Sequence, residues 1–317
     1  MKELLADRHI FGNELCELGK THPDFVVCNA DTKACNLEHF ADLFPERAFS
    51  IGIAEQDMTD IAAGLAACGN KVFISTFAVF ATMRACEQVR TFICHPKLNV
   101  TILGTHTGLQ VGGDGATHAA VEDVGILSTF PNMTIIQPAD GVSAKAMADA
   151  AVDFSGPLYV RLHRNAVPDF YDPLTYHFEF GKAVTVADYG TDLTIISSGI
   201  LLSKAAEAAR ILRSRGIGAR LLDMETIKPL DREAVIRAAR ETGAILTIED
   251  HSIFNGLGAA CAEVIVETIP VPMQRIGIPD CFGESGDPEL LYREHGMDTD
   301  SIVRRAVELV ERKKRMN

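Results

Sequence analysis

The sequence predicts an α/β protein made of two doubly wound domains with mostly parallel sheets. Short β-branched runs alternate with longer stretches of helical period along nearly all of the 317 residues. Such alternation implies parallel strands covered by helices on both faces. It falls into two series, divided by an irregular stretch rich in proline and aromatic residues. The length suits two packed cores, at roughly 150 residues per domain.

The first series places strands at residues 25–28, 72–75, 100–103, 134–136 and 158–160. The second places them at 193–196, 219–222, 244–248 and 275–278. Among the intervening helices, one shows Leu202, Ala205, Ala209 and Leu212 three and four residues apart and ends at Gly216, which suits a left-handed cap. The next runs from Asp231, an N-cap type, to Gly243, a glycine stop. The boundary falls near residues 169–179; the stretch PDFYDPLTYHFE (168–179), with two prolines, has no helical period and reads as an ordered linker. The expected domains are therefore 1–172 and 173–317.

Composition removes several classes of function. The formal net charge is −13, opposite to the basic face of a nucleic-acid binder. The one basic cluster, Arg312 to Arg315, follows the periodic Ile302, Val303, Ala306, Leu309 and Val310, and so belongs to a helix C-terminus, where cations meet the dipole favourably. No apolar run reaches the ~18 residues of a membrane span, and MKELLADRHI lacks the apolar segment of a signal peptide. The eight cysteines form no CxxC pair, so neither a zinc knuckle nor a redox motif is expected, and the simplest compartment is a reducing cytoplasm.

In parallel α/β folds, ligands bind beyond the carboxyl ends of strands. Five consecutive strand ends here carry polar groups: Asn29-Ala30-Asp31, Thr76-Phe77, Thr105-His106, Gln137 to Asp140, and His163-Arg164. Three segments stand out. In SIGIAEQDM, Glu55 opens an alanine- and glycine-rich helix expected over 60–69. Its small and apolar neighbours would desolvate it and raise its pKa for proton transfer; equally, it is a carboxylate favoured by a helix N-terminus. In TFAVFATM, Phe77, Phe80 and Met83 recur every three residues, a stripe that is more often core than cofactor box. In GTHTGLQVGGDGATH, glycines allow close backbone approach to a ligand, and His106, Asp114 and His118 gather within thirteen residues. A polar surface loop is the plain alternative. A metal site lacks further ligands at a usual spacing.

Taken in order, GIAEQ, TFAVF, THTGLQVGGDGATH, QPAD and RLHRNAVP resemble the transketolase family over nearly all of residues 1–170. The second half resembles it more weakly, through its layout and IEDHSIFNGLG. The resemblance implies thiamine diphosphate as cofactor, with Glu55 bonding the aminopyrimidine and starting a proton relay from the thiazolium C2. It implies that Phe77 and Phe80 box the pyrimidine, Phe80 as the stacking ring. Met83 stands where the family often has tyrosine, and Asp31 lies close to the thiamine pocket. His106, Asp114 and His118 match sugar-contacting positions, with one histidine able to shuttle a proton. Arg164 matches the arginine that clamps the substrate phosphate, a task suited to a guanidinium fork. Arg8 matches a second such arginine by its distance from Asp31. Lys33-Ala34-Cys35 replaces a stretch where the family often has a phosphate-binding serine, so a sulfonate or a branched sugar phosphate enters consideration.

In the family, the diphosphate and its Mg²⁺ are held by a separate domain whose motif begins Gly-Asp-Gly and closes with asparagines. Gly113-Asp114-Gly115 is followed only by Asn132, and Asp114 already fits a sugar position. The resemblance therefore implies one subunit of a split transketolase, transferring a two-carbon ketol unit from a ketose to an aldose. Its N-terminal partner subunit would carry the diphosphate domain in an α₂β₂ assembly. Rival readings are the β subunit of a 2-oxoacid dehydrogenase, deoxyxylulose-phosphate synthase, and a non-catalytic assembly subunit.

Overall fold

A computed structural model describes residues 4–316. Twelve strands are found among them: β1 (Phe25–Asn29), β2 (Ala48–Ser50), β3 (Lys71–Phe77), β4 (Val100–Thr105), β5 (Thr134–Ile136), β6 (Leu158–Arg161), β7 (Val184–Asp188), β8 (Leu193–Ser197), β9 (Ala219–Asp223), β10 (Thr226–Lys228), β11 (Ile245–Ser252) and β12 (Met273–Ile278). The helices are α1 (Asp7–Leu18), α2 (Leu37–Leu43), α3 (Glu55–Ala67), α4 (Cys86–Gln88), α5 (Asp123–Ser128), α6 (Gly141–Asp153), α7 (Leu202–Ser214), α8 (Arg232–Thr242), α9 (Leu257–Glu267), α10 (Pro288–Glu294) and α11 (Thr299–Met316).

Two sheets form, as expected. The first has the order β10-β5-β6-β4-β3-β1-β2 and the second β12-β11-β8-β9-β7. Every pairing is parallel except β10 with β5 and β7 with β9. Helices cover both faces of each sheet, and the central strands are buried throughout; β4 and β8, for example, expose no residue. One core under the first sheet joins Val26, Ile74, Ile102 and Ile135 to α3, and the other joins Phe25, Phe73, Val160 and Met147.

All nine expected strands are present. Three strands are additional: β2, β7 and β10, each at a sheet edge. They are short or only half buried, and an edge strand is specified by its partner more than by its own apolar run. β10 comes from the second half of the chain yet pairs with β5 of the first sheet, Thr226 opposite Ile136. The halves are thus stitched by a strand as well as joined by the 169–179 segment.

The punctuated helices form where the sequence places them. Asp231 caps α8 by accepting from the Ala234 N–H at 2.9 Å, and Gly243 closes it at φ 61°. The basic cluster lies in the last turn of α11. The helix expected over 60–69 instead begins at Glu55 and ends at Ala67, with Gly69 beyond it at φ 98°.

Candidate active site

The site is assembled beyond the carboxyl ends of β1, β3, β4 and β6, the central strands of the first sheet. β3 ends on Phe77, and after two residues the chain enters a π-helix, Phe80–Arg84. Phe77, Phe80 and Met83 therefore do not share one helical face. The wider π turn instead brings the Phe77 and Phe80 rings parallel, 6.1 Å apart at 7°. Met83 is left 39% exposed at the rim. Isolated π segments occur often at functional sites.

His106 follows β4 at φ 59°, its ring stacked on Phe77 at 4.0 Å and 20°. His118, at the far end of the glycine loop, stands edge-on to Phe77 and Phe80 at 5.8 and 5.3 Å. Four rings thus form one cluster. The His106 Nδ1 lies 2.9 Å from the Thr105 hydroxyl. Burial, then the charges of Arg8 and Arg164, with smaller contributions from His9 and His118, hold the His106 pKa down at about 3. At neutral pH His106 is an uncharged hydrogen-bonding group.

Glu55 is buried, as its neighbours suggested, at 2% exposure. Desolvation is not its whole environment. Its Oε2 accepts from Arg84 Nη1 at 2.7 Å, and Oε1 lies 3.5 Å from the Thr76 hydroxyl. The Arg84 guanidinium also lies 4.2 Å from the centroid of Phe80. Carboxylate, arginine and ring form one contact chain. Arg84 escaped the sequence reading because a residue inside an apolar helical segment does not announce that the carboxylate at the start of α3 folds against it.

The second side of the site is cationic. Arg8, in the first turn of α1, donates from Nη1 to the Ala34 carbonyl at 2.7 Å and from Nε to the Arg164 carbonyl at 3.2 Å; it also bonds His9. Arg164 donates to the Val111 carbonyl and to Asp114 at 3.0 Å. Both members of the Arg164–Asp114 pair are substantially exposed, so the pair is weak, about 0–1 kcal/mol, and open to exchange with a ligand. Burial and the neighbouring Arg8 lower the His9 pKa. Arg8 and Arg164, whose charges both act on His106, make a local positive field in a chain whose net charge is −13, the condition for drawing in an anion.

Of the ten singled-out residues, nine fall into these two groups. Asp31 lies beyond β1 at φ 55°, exposed, its N–H donating to Asn29 Oδ1 at 2.9 Å. Among the described residues no side-chain bond joins it to the cluster. Cys35 is buried and Lys33 exposed.

The IEDHSIFNGLG segment supports the site from behind. Glu249 accepts the N–H groups of Leu257 and Gly258 at 2.6 and 2.8 Å at the start of α9. Asp250 accepts the Leu109 N–H at 3.0 Å, and the Gly125 N–H points to His251 Nε2 at 3.2 Å. Gly108 must be glycine for this contact: its φ is 63°, and a Cβ would lie 2.2 Å from the Asp250 carboxylate.

Two doubly wound domains thus bring a buried carboxylate, parallel rings and a cationic rim together at the strand ends of the first sheet. Residues 4–169 match the transketolase pyrimidine-binding domain family, and residues 181–302 match the transketolase C-terminal domain family. The chain belongs to the transketolase family, a family of transferases. It is 42% identical to an apulose-4-phosphate transketolase subunit of Phocaeicola vulgatus, over 98% of this chain and 99% of that one. It is 38% identical to the 6-deoxy-6-sulfo-D-fructose transketolase subunit of a Clostridium strain, over 96% and 95% of the two chains. A split-gene transketolase, solved as an inactive β4 tetramer, superposes with a TM-score of 0.90 at 42% identity, over 98% of this chain and 99% of that one.

Proposed function

We propose that the chain is the pyrimidine-binding and C-terminal subunit, divided near residue 172, of a split transketolase that moves a two-carbon ketol unit from an anionic ketose to an aldose. The observation that carries this reading is the buried Glu55 carboxylate linked through Arg84 to the parallel Phe77–Phe80 pair, with a cationic pocket alongside. These residues fit the aminopyrimidine end of thiamine diphosphate: a carboxylate shielded from water, and flat rings on which an electron-poor heterocycle stacks favourably. The bound cofactor supplies the carbanion chemistry of carbon–carbon cleavage. Glu55 holds the proton of the pyrimidine N1′ and so controls its tautomer. Phe77 and Phe80 orient the ring, Met83 closes its rim, and Asp31 borders the pocket from the β1 end. His106 and His118 bond substrate hydroxyls, and His118 is the one that passes a proton.

Arg164 and Arg8 take the distal anion, Asp114 then turning to a hydroxyl near the cleaved bond. A phosphate and a sulfonate both suit two guanidinium groups, and the relatives named for a phosphorylated and a sulfonated sugar fit that range. The histidine and aspartate set favours a polyol over the lipoyl carrier of a 2-oxoacid dehydrogenase. Gly113-Asp114-Gly115 serves the sugar side here: Asp114 pairs with Arg164, and Asn132 donates to the Cys94 carbonyl at 3.0 Å. The diphosphate and Mg²⁺ are therefore assigned to an N-terminal partner subunit, in an α₂β₂ assembly of the cytoplasm, whose reducing conditions suit eight free cysteines. The test is ketol transfer by the purified chain, by the partner, and by both together with thiamine diphosphate and Mg²⁺. Activity is expected only in the mixture, and robust transfer by this chain alone overturns the reading.

A further inference from the structure

The two arginines assigned to the substrate anion lie on separate elements, Arg8 in α1 and Arg164 just beyond β6. Their immediate predecessors are bonded to each other. The Asp7 carboxylate accepts from the His163 backbone N–H at 3.0 and 3.1 Å and from its ring Nδ1 at 2.6 Å. It also accepts the Arg8 N–H at 2.6 Å. The Asp7 and His163 side chains are 2% and 0% exposed. The opposite ring nitrogen of His163, Nε2, accepts from Gln137 Nε2 at 2.9 Å, and Gln137 in turn accepts from Ser198 at 3.2 Å. The imidazole is thus held at both ends, with its Nδ1–H aimed at Asp7.

Asp7 and His163 are shut away from the cationic pocket, yet each is one peptide bond from an arginine that lines it. Among the described residues, the other direct tie between these arginines is Arg8 Nε to the Arg164 carbonyl at 3.2 Å. A buried carboxylate with several charge-assisted donors is among the stiffest non-covalent links a fold can make. Recognition of one anion by two guanidinium groups depends on their spacing, and a misplacement of about 1 Å at a reacting site can cost ~10²-fold.

We propose that Asp7 and His163 are a positioning pair that sets the separation of Arg8 and Arg164, and with it the preference for substrates bearing a distal anion. The inference rests on the anion-site reading above. A plain structural staple would differ in its effect: its loss would lower stability and depress all substrates alike.

The experiment uses the reconstituted two-subunit complex with thiamine diphosphate and Mg²⁺. A ketose phosphate and uncharged erythrulose serve as donors, and inorganic phosphate as competitive inhibitor. The variants are His163→Asn, His163→Gln and Arg164→Ala. An asparagine amide overlies the imidazole Nδ1 and keeps the side-chain link to Asp7; a glutamine amide overlies Nε2, keeping Gln137 and losing the side-chain link to Asp7, while the backbone N–H of residue 163 still bonds the Asp7 carboxylate. His163→Asn is expected to behave like wild type. His163→Gln is expected to raise KM for the ketose phosphate and Ki for inorganic phosphate by roughly tenfold, the scale of one charge-assisted contact, with erythrulose kinetics within about twofold. Asp7→Asn, which removes the carboxylate charge from the other side, gives the same pattern and stands in if His163→Gln does not fold. Equal losses on both donors, or full phosphate preference in His163→Gln and Asp7→Asn while Arg164→Ala has lost it, overturn the positioning role alone. Unchanged phosphate preference in Arg164→Ala overturns the anion-site reading and the pair's role together.

Discussion

Asp250→Ala isolates what the second domain does for the site. The Asp250 side chain is 1% exposed and accepts two buried donors, the Leu109 N–H at 3.0 Å and the Tyr292 hydroxyl at 2.7 Å. Arg161 Nη2 donates to the Asp250 backbone carbonyl at 2.8 Å, a contact that alanine keeps. Alanine strands two donors in a dry interior. Each orphaned group costs about 1–3 kcal/mol, so a loss of roughly 2–6 kcal/mol is expected, less what is regained by removing a desolvated carboxylate. Burial raises the Asp250 pKa, with Arg161 opposing it, so that regained part is real and the lower half of the range is the expectation. Asp250→Asn is the control. Its carbonyl still accepts from Leu109, and the Tyr292 hydroxyl can rotate to accept from the new amide, so a loss near ~1 kcal/mol is expected. Stability is read from urea unfolding by far-UV circular dichroism, because the chain has no tryptophan. Hydrogen exchange across residues 108–118 reads the loop itself, as local opening need not follow global unfolding. If the two variants agree within ~0.5 kcal/mol and exchange in the loop is unchanged, Asp250 does not hold the loop.

Glu55→Gln should lower ketol transfer by the reconstituted complex by about 10²–10⁴-fold, since glutamine keeps the shape and cannot accept the proton; near-normal deuterium exchange at the thiazolium C2 in that variant would remove Glu55 from the relay. Burial, with Asp140 adding to it and the Tyr176 hydrogen bond opposing it, raises the Glu225 carboxyl from 4.5 to about 7. Because the folded value lies above the unfolded one, this stability is complete below about pH 4.5 and lost as pH rises through about 7, by ~3 kcal/mol for a shift of that size. Melting of wild type against Glu225→Gln should therefore show a gap that moves in the variant's favour over that window, and a constant gap would contradict it. Asp231→Ala removes an acceptor from the N–H groups of Ala234 and Ala183 at 2.9 and 3.0 Å; a loss of about 1–2 kcal/mol is expected in urea unfolding, and no measurable loss would show that the cap is redundant.

Much of this site is legible in the sequence. Phe77 and His106 stand out because polar groups gather at strand ends in a parallel sheet, and Glu55, Phe80 and His118 through the order of the motifs GIAEQ, TFAVF and THTGLQVGGDGATH, which resembles the transketolase family. The helices closed by Asp231 and Gly243 are legible for a local reason: cap chemistry acts over three or four residues. What stays hidden is every feature that depends on an unrelated segment arriving in space. Nothing near Met83 indicates that the next residue, Arg84, meets Glu55, 29 positions away. Asp7 looks like part of a polar N-terminus, and only the fold sets it against His163, 156 positions away.

The fold class, the main strands and the types of side chain available for chemistry follow from the chain alone, because periodicity, caps and strand-end polarity are written within short windows. How those side chains are paired follows only from packing. Folding turned a stripe of three apolar residues into two stacked rings and an exposed rim, and gave a buried carboxylate its arginine. It also placed β10 in the sheet of the other half, since hydrogen bonds and ion pairs form across whichever surfaces the packed cores bring together.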